Sequence, residues 1–197
     1  MDEVGRGPLA GPVVAAAVVL PRRASGDPSR SAWISALRDS KALSAQQRER
    51  LAEAIRANTI WAISGVSTQV VDQINILQAT RLAMKRAVGA LPSKPDALII
   101  DGREVVEGSI HQVAVVDGDA LCVSVAAASI LAKVARDRLM CELDERFPGY
   151  GLAINKGYAT AEHRAALAQL GYSNIHRLSF APVREAIGGF DRQEVQP

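Results

Sequence analysis

The chain alternates short apolar runs with longer stretches in which apolar residues return every three or four positions. Val13 to Leu20 is an unbroken run of β-branched and small residues between Gly11-Pro12 and Pro21, which predicts a buried strand. A polar loop from Arg22 to Ser31 follows. Ser44 and Gln47 have the spacing of a capping box and open a helix through Asn58, with Leu51, Ala54 and Ile55 on its inner face. Ile60 to Ser67 predicts another strand. The next helix carries Ile74, Leu77, Met84 and Val88 on one side and ends before Pro92. Asp96 to Ile100 predicts a central strand stopped by Asp101-Gly102, and Val113 to Val116 a further strand stopped by Asp117-Gly118-Asp119. A long helix from Ser124 to Phe147 begins with alanines that permit close packing against a sheet. Beyond Pro148 come a glycine-rich loop, a helix from about Ala161 to Leu170, and a short segment to Ile187. Strands first, then helices alternating with strands, predict a mixed α/β layer fold. It would form one domain over residues 1–187, with a small helical segment at its C-terminal end and a flexible tail over 188–197.

Composition narrows the class. With 197 residues, 48% of them apolar, the chain can bury a substantial core. No apolar run approaches the ~20 residues that cross a bilayer, and the start lacks the pattern of a secretory signal. Both point to a cytoplasmic protein with no membrane partner, expected to work as a monomer. Cys122 and Cys141 lack the spacing of a disulfide framework or a zinc site, so both are expected to be small buried hydrophobes. His111, His163 and His176 show no metal-ligand spacing and are expected to be structural or surface residues. The net charge of +2 is bland. Were four of the 21 acids set aside as metal ligands, however, the 23 basic residues would be in clear excess, as a polyanion binder requires.

The candidate chemistry lies in the acids. Asp2 and Glu3 stand directly before the turn Gly5-Arg6-Gly7, and Asp101 and Asp119 recur where strands stop. In open α/β sheets, strand ends are where ligands bind. Carboxylates converging from separate strands can hold two hard cations about 4 Å apart, the arrangement used for phosphodiester hydrolysis. Each Asp-Gly by itself reads as an ordinary turn; the set of four carries the chemistry.

Several motifs in order resemble the ribonuclease HII (type 2 ribonuclease H) family. They are DEVGRGPLAGPV at 2–13, DSKALS at 39–44, NILQAT at 75–80, IIDG at 99–102, SILAKVARDRLM at 129–140, KGYATAEHRAAL at 156–167 and HRLSFAPV at 176–183. The resemblance implies a ribonuclease H-like mixed sheet flanked by helices. It implies an endonuclease acting on the RNA strand of RNA–DNA hybrids and on the 5′ side of single ribonucleotides in duplex DNA, leaving 3′-hydroxyl and 5′-phosphate ends. Asp2, Glu3, Asp101 and Asp119 match the family's catalytic ligands for two Mn2+ or Mg2+ ions. Asp117 stands where the family usually has lysine. Gly5, Arg6 and Gly7 match the turn that grips the ribonucleotide through its 2′-hydroxyl, and Tyr158 the ring that stacks on the deoxyribose beyond the RNA–DNA junction. Lys41, Ser129 and Lys133 are candidate phosphate contacts, with an ordinary solvated lysine the alternative at Lys41 and an i, i+4 pair with Asp137 the alternative at Lys133.

The same resemblance places a full β-strand before the first acid, whereas here only Met1 precedes Asp2. The expectation is a fraying Asp2, low stability and little activity, restored by roughly eight to twelve residues of upstream strand. The alternative function is then that of a truncated, weakly active or non-catalytic binder of RNA–DNA junctions.

Overall fold

The computed structural model describes residues 1–21, 33–37, 43–103 and 105–186. Five strands are assigned among them: β1 (Asp2–Val4), β2 (Val13–Val19), β3 (Ile60–Val66), β4 (Ala97–Asp101) and β5 (His111–Val115). The helices are α1 (Ala45–Asn58), α2 (Thr68–Gly89), α3 (Gly118–Leu121), α4 (Val123–Arg146), α5 (Leu152–Asn155) and α6 (Ala161–Leu170), with further helical turns over 33–36 and 181–186. The polar loop after Pro21, Lys41 and the tail from 188 lie outside the described residues. No helix among the described residues is long and apolar enough to cross a membrane.

β1, β2 and β3 form one sheet in that order, and β4 and β5 form a parallel pair. β1 runs antiparallel to β2, with Asp2 opposite Ala16 and Val4 opposite Val14. The chain divides into two compact units: residues 1–4, 14–65 and 80–135, and residues 5–13, 66–79 and 136–197.

In the first unit Val14, Ala16 and Val18 project from one face of β2, as the two-residue period of a strand requires. Leu51, Ala52 and Ile55 of α1 and the run Ala126, Ala127, Ala128, Ile130 and Leu131 of α4 complete that core. The buried alanines let the α4 backbone come close to its neighbours, as their position at the start of the helix predicts. The capping box of α1 is present in full: the Ser44 amide donates to Gln47 Oε1 at 2.8 Å and the Gln47 amide to Ser44 Oγ at 3.3 Å. The second unit has its own core of Leu9, Ala10, Met140, Leu143, Tyr150, Leu152, Leu167, Ile175 and Val183.

Three expectations change. The helix across 68–89 does not present one continuous stripe, because Asn75 has non-helical φ 65° and ψ 166°. Its Oδ1 accepts from the amides of Leu77 and Gln78, so Asn75 caps a new helical segment. Beyond the break Ala79, Ala83, Met84 and Ala87 are buried, while Ile74, Leu77 and Val88 are half-buried. Asn75 followed three residues later by Gln78 is itself a capping pattern, and an unbroken period across it was the wrong template.

The strand at 97–101 has one full ladder partner. Leu98 and Ile100 turn inward while Ile99 is 41% exposed. Its other edge receives the chain start: the Met1 amine donates to Ile99 O at 2.7 Å, and the Asp101 amide donates to Met1 O at 3.1 Å. Asp2 is therefore not on a fraying end. Ladder bonds hold it on the β2 side and Met1 ties the preceding residue to β4, leaving Met1 4% and Asp2 6% exposed. The thiols depart as well, since Cys141 is exposed and Cys122 half-buried; neither fills the core.

Candidate active site

Three of the four candidate acids lie within electrostatic reach in the first unit, Glu3 and Asp101 both acting on Asp2. Asp2 lies in β1 beside Glu3, and Asp101 closes β4, tied to Met1 through its amide. Burial pushes the Asp2 carboxyl up to about 7, and the charges of Glu3 and Asp101 add to that rise. The Ser129 hydroxyl and the Glu3 amide, at 2.7 Å, hydrogen-bond to Asp2 and pull the other way. Ser129 of α4 thus engages the first acid. Asp101 Oδ1 accepts from the Gly118 amide at 2.7 Å, which ties the end of β4 to the start of α3. A Cβ at Gly118 would stand 3.1 Å from that same oxygen, so a larger residue there would press on the carboxylate. Asp119 follows in the first turn of α3, half-buried, and Asp117 before it is exposed in a left-handed conformation at φ 54°. Lys133 is half-buried on α4.

Among the described residues no three His, Cys, Asp or Glu side chains form a ready metal cage. The donor set nonetheless fits a hard divalent cation. All four side chains offer carboxylate oxygens, and Asp2 is a carboxyl whose charged form burial and neighbouring acids disfavour, the condition a nearby cation reverses. Mg2+ is commonly held by one or two carboxylates with water and substrate phosphate supplying the rest, so an open arrangement is compatible with it.

The second unit holds the candidate turn and the candidate tyrosine. Gly5 has φ 91°, a conformation open to glycine at little cost, and a Cβ there would come within 2.3 Å of Arg136 Nε and 2.8 Å of Pro12 O. A Cβ on Gly7 would stand 3.7 Å from Tyr158 Cε1, so the third residue of the turn faces the tyrosine ring directly. Tyr158 is 44% exposed. Its segment is tightly held: Lys156 and Gly157 are both left-handed, at φ 52° and 83°, and the Gly157 amide donates to Asn155 Oδ1. The Tyr158 amide donates to Asn155 O, and the Leu9 amide to Gly157 O. Gly5, Arg6, Gly7 and Tyr158 are thus brought together in one unit.

Two arginines that the sequence left without a role lock this arrangement. Arg177, fully buried, donates to Gly5 O at 2.6 Å, Arg6 O at 2.9 Å and Gly11 O at 2.8 Å. Arg136, also fully buried, donates to Pro12 O and Ala10 O at 3.0 Å and to Lys156 O at 2.9 Å. Carbonyl acceptors answer both guanidinium groups. Burial, followed by the charge of Arg136, lowers Arg177 to about 9, while burial lowers Arg136.

Comparison with known proteins agrees with this architecture. The family described as Ribonuclease HII matches residues 1–183. A ribonuclease HII of Myxococcus xanthus is 52% identical over 190 residues, 95% of this chain and 62% of that protein. The chain belongs to the ribonuclease HII family. Its fold is that of solved relatives: the ribonuclease H2 of Pyrococcus horikoshii OT3 superposes with a TM-score of 0.79 at 24% identity, covering 97% of each chain. A Bst ribonuclease HIII crystallised in complex with Mn2+ superposes with a TM-score of 0.70 at 25% identity, covering 97% of this chain and 69% of that one. The chain thus spans a little under two thirds of the Myxococcus relative's length.

The sequence assigned no role to Arg136 or Arg177, whereas the expectation that His163 and His176 are structural holds, since both are buried. Arg136 lies inside SILAKVARDRLM and the histidines and Arg177 inside the motifs at 156–167 and 176–183. The available signal at Arg136 was helical spacing, with Ala132 four residues before it and Leu139 and Met140 three and four residues after it. Spacing alone cannot say which carbonyls such a residue will reach.

Proposed function

We propose that this chain is an endonuclease that hydrolyses the RNA strand of RNA–DNA hybrids and cuts 5′ of single ribonucleotides in duplex DNA, with two divalent ions and 3′-hydroxyl and 5′-phosphate products. The observation that carries the reading is the continuity of the first seven residues. Asp2 and Glu3 stand in β1 next to Asp101, and one residue later the chain enters the turn packed on Tyr158. The Mn2+ complex of the ribonuclease HIII relative supports a divalent ion, and the Ribonuclease HII name of the matched family supports the substrate.

When bound, the ions supply positive charge that eases deprotonation of the attacking water and offsets charge on the leaving oxygen. Asp2, Glu3, Asp101 and Asp119 are the residues that would hold them. Asp2 is oriented by its bonds to the Glu3 amide and Ser129, and Asp101 by the Gly118 amide. In the turn, Arg177 draws the carbonyls of Gly5 and Arg6 to its own side, which fixes the peptide planes and with them the groups offered to a ribose edge. Tyr158 presents its exposed ring to the next sugar. A 2′-hydroxyl there would meet the ring, which favours deoxyribose.

The test is cleavage of duplex DNA carrying one ribonucleotide, with end-group analysis, in Mg2+, in Mn2+ and with chelator. A cut 5′ of the ribonucleotide that needs the metal is expected. Binding of the junction without cleavage in either metal would replace this reading with the non-catalytic binder.

A further inference from the structure

The second unit buries two histidines in contact. His163 is fully buried and His176 is 2% exposed, with their Nε2 atoms 3.2 Å apart. The partners at either end fix which atoms carry protons. The Ser173 amide, a donor, and the Ser173 hydroxyl both lie 3.0 Å from His176 Nδ1; with Nδ1 accepting from the amide, the His176 proton sits on Nε2. That proton points at His163 Nε2, which must therefore accept. The His163 proton then sits on Nδ1, 2.8 Å from Tyr158 O, which can only accept. Every bond is satisfied by one arrangement: Ser173 amide to His176, His176 to His163, His163 to the Tyr158 carbonyl. A second proton on either ring would set two donors face to face. Tyr150, whose hydroxyl donates to Gly171 O, covers the pair with its ring centroid 4.8 Å from that of His176.

We infer that His163 and His176 are positioning residues for Tyr158, a neutral pair whose protons all run one way and end on the Tyr158 carbonyl. The inference rests on the reading of Tyr158 as the sugar-contacting ring. Tyr158 follows two left-handed residues, and its carbonyl accepts from the Thr160 amide at 2.8 Å as well as from His163 Nδ1 at 2.8 Å. With its amide on Asn155 O and its carbonyl on His163 Nδ1, both peptide planes beside its Cα are fixed. The direction of the ring beside Gly7 follows from them. An aliphatic pair would fill the same space with no polar groups to desolvate, but it would leave that carbonyl to the Thr160 amide alone and remove its second bond. Burial keeps both rings neutral, which the proton order requires.

Two measurements on the full chain test this. Nitrogen NMR of histidine-labelled protein at neutral pH should show the Nδ1–H tautomer for His163 and the Nε2–H tautomer for His176. The opposite tautomer at either, or a cationic ring, overturns the inference without reference to activity or to folding of a variant. The second measurement is the ratio of cleavage at a single ribonucleotide to cleavage within a long hybrid. His163→Leu should lower that ratio up to roughly tenfold, the worth of one hydrogen bond. His163→Asn, whose amide can donate from the place of Nδ1, should restore most of it, and His163→Leu should add nothing to Tyr158→Ala. If Tyr158→Ala lowers the ratio and His163→Leu does not, the inference falls and the reading of Tyr158 stands. If Tyr158→Ala leaves the ratio unchanged, both fall.

Discussion

The two compact units treat buried charge in opposite ways. In the first, Asp2 is 6% exposed beside two further acids, and its carboxyl is pushed up to about 7 because burial and like charge both disfavour ionisation. In the second, two arginines are entirely buried, yet carbonyls meet their donors from Gly5 to Pro12 and at Lys156. The surroundings of Asp2 disfavour its ionised form, a condition that a bound cation would reverse. The arginines already have their partners, and spend them on holding a backbone turn in one shape.

The largest expected effect tests the first half of that comparison. Asp101→Asn keeps an oxygen for the Gly118 amide and removes one charge from beside Asp2. Activity in Mg2+ and in Mn2+ should fall by more than about a hundredfold, while the melting temperature without metal holds or rises. Near-normal cleavage would remove Asp101 from the metal set, and a large loss of stability would make it a structural acid.

Next in size is Arg177→Lys. Lysine keeps the charge but cannot reach three carbonyls from one plane, so the turn at Gly5 and Arg6 is left partly unsatisfied. A loss on the order of 3 kcal/mol in urea unfolding is expected. A variant as stable as the parent would mean that the second unit does not depend on these bonds.

Tyr158→Ala should lower cleavage at a single embedded ribonucleotide roughly tenfold to a hundredfold, by analogy with base stacking, with a smaller loss on a long hybrid. Equal losses on the two substrates would make the ring a packing element of the second unit.

The smallest effect is one of pH. Burial first, then the charge of His163, lowers His176 from its ordinary 6.5 to about 4. The unfolded chain binds this proton below pH 6.5 and the folded chain only near 4. Stability present above 6.5 is therefore lost as pH falls through that window, by at most about 1.4 kcal/mol per pH unit. The difference between parent and His176→Asn, followed by thermal melts from pH 7.5 to 4, should show this slope. Parallel curves would mean that the histidine already takes up its proton in the folded state.

Much of the fold was legible because local rules and packing agree there. The capping box at Ser44, the strand at Val13 and the alanine-rich start of α4 each follow from a few neighbouring residues, and the core completes what they begin. The stripe across 68–89 failed because one asparagine resets the helical phase, a local event that a periodicity average conceals. The ordering of Asp2 failed to show for a different reason. It depends on the Met1 backbone meeting β4, almost a hundred residues away in sequence.

Taken alone, the sequence determined which groups are available: four acids, a glycine-flanked arginine, and a tyrosine within a glycine turn, in an order that names the family. Residue identity and spacing carry that information because hard-ligand chemistry and backbone freedom belong to the residues themselves. Tertiary structure decided how those groups are held. Carbonyls from Gly5 to Pro12 gather around Arg136 and Arg177, which lie more than a hundred residues further along the chain. The proton order of His163 and His176 is set by an amide and a carbonyl that meet them only in the folded chain. Hydrogen-bond direction depends on positions in space, and no pattern along the chain encodes it.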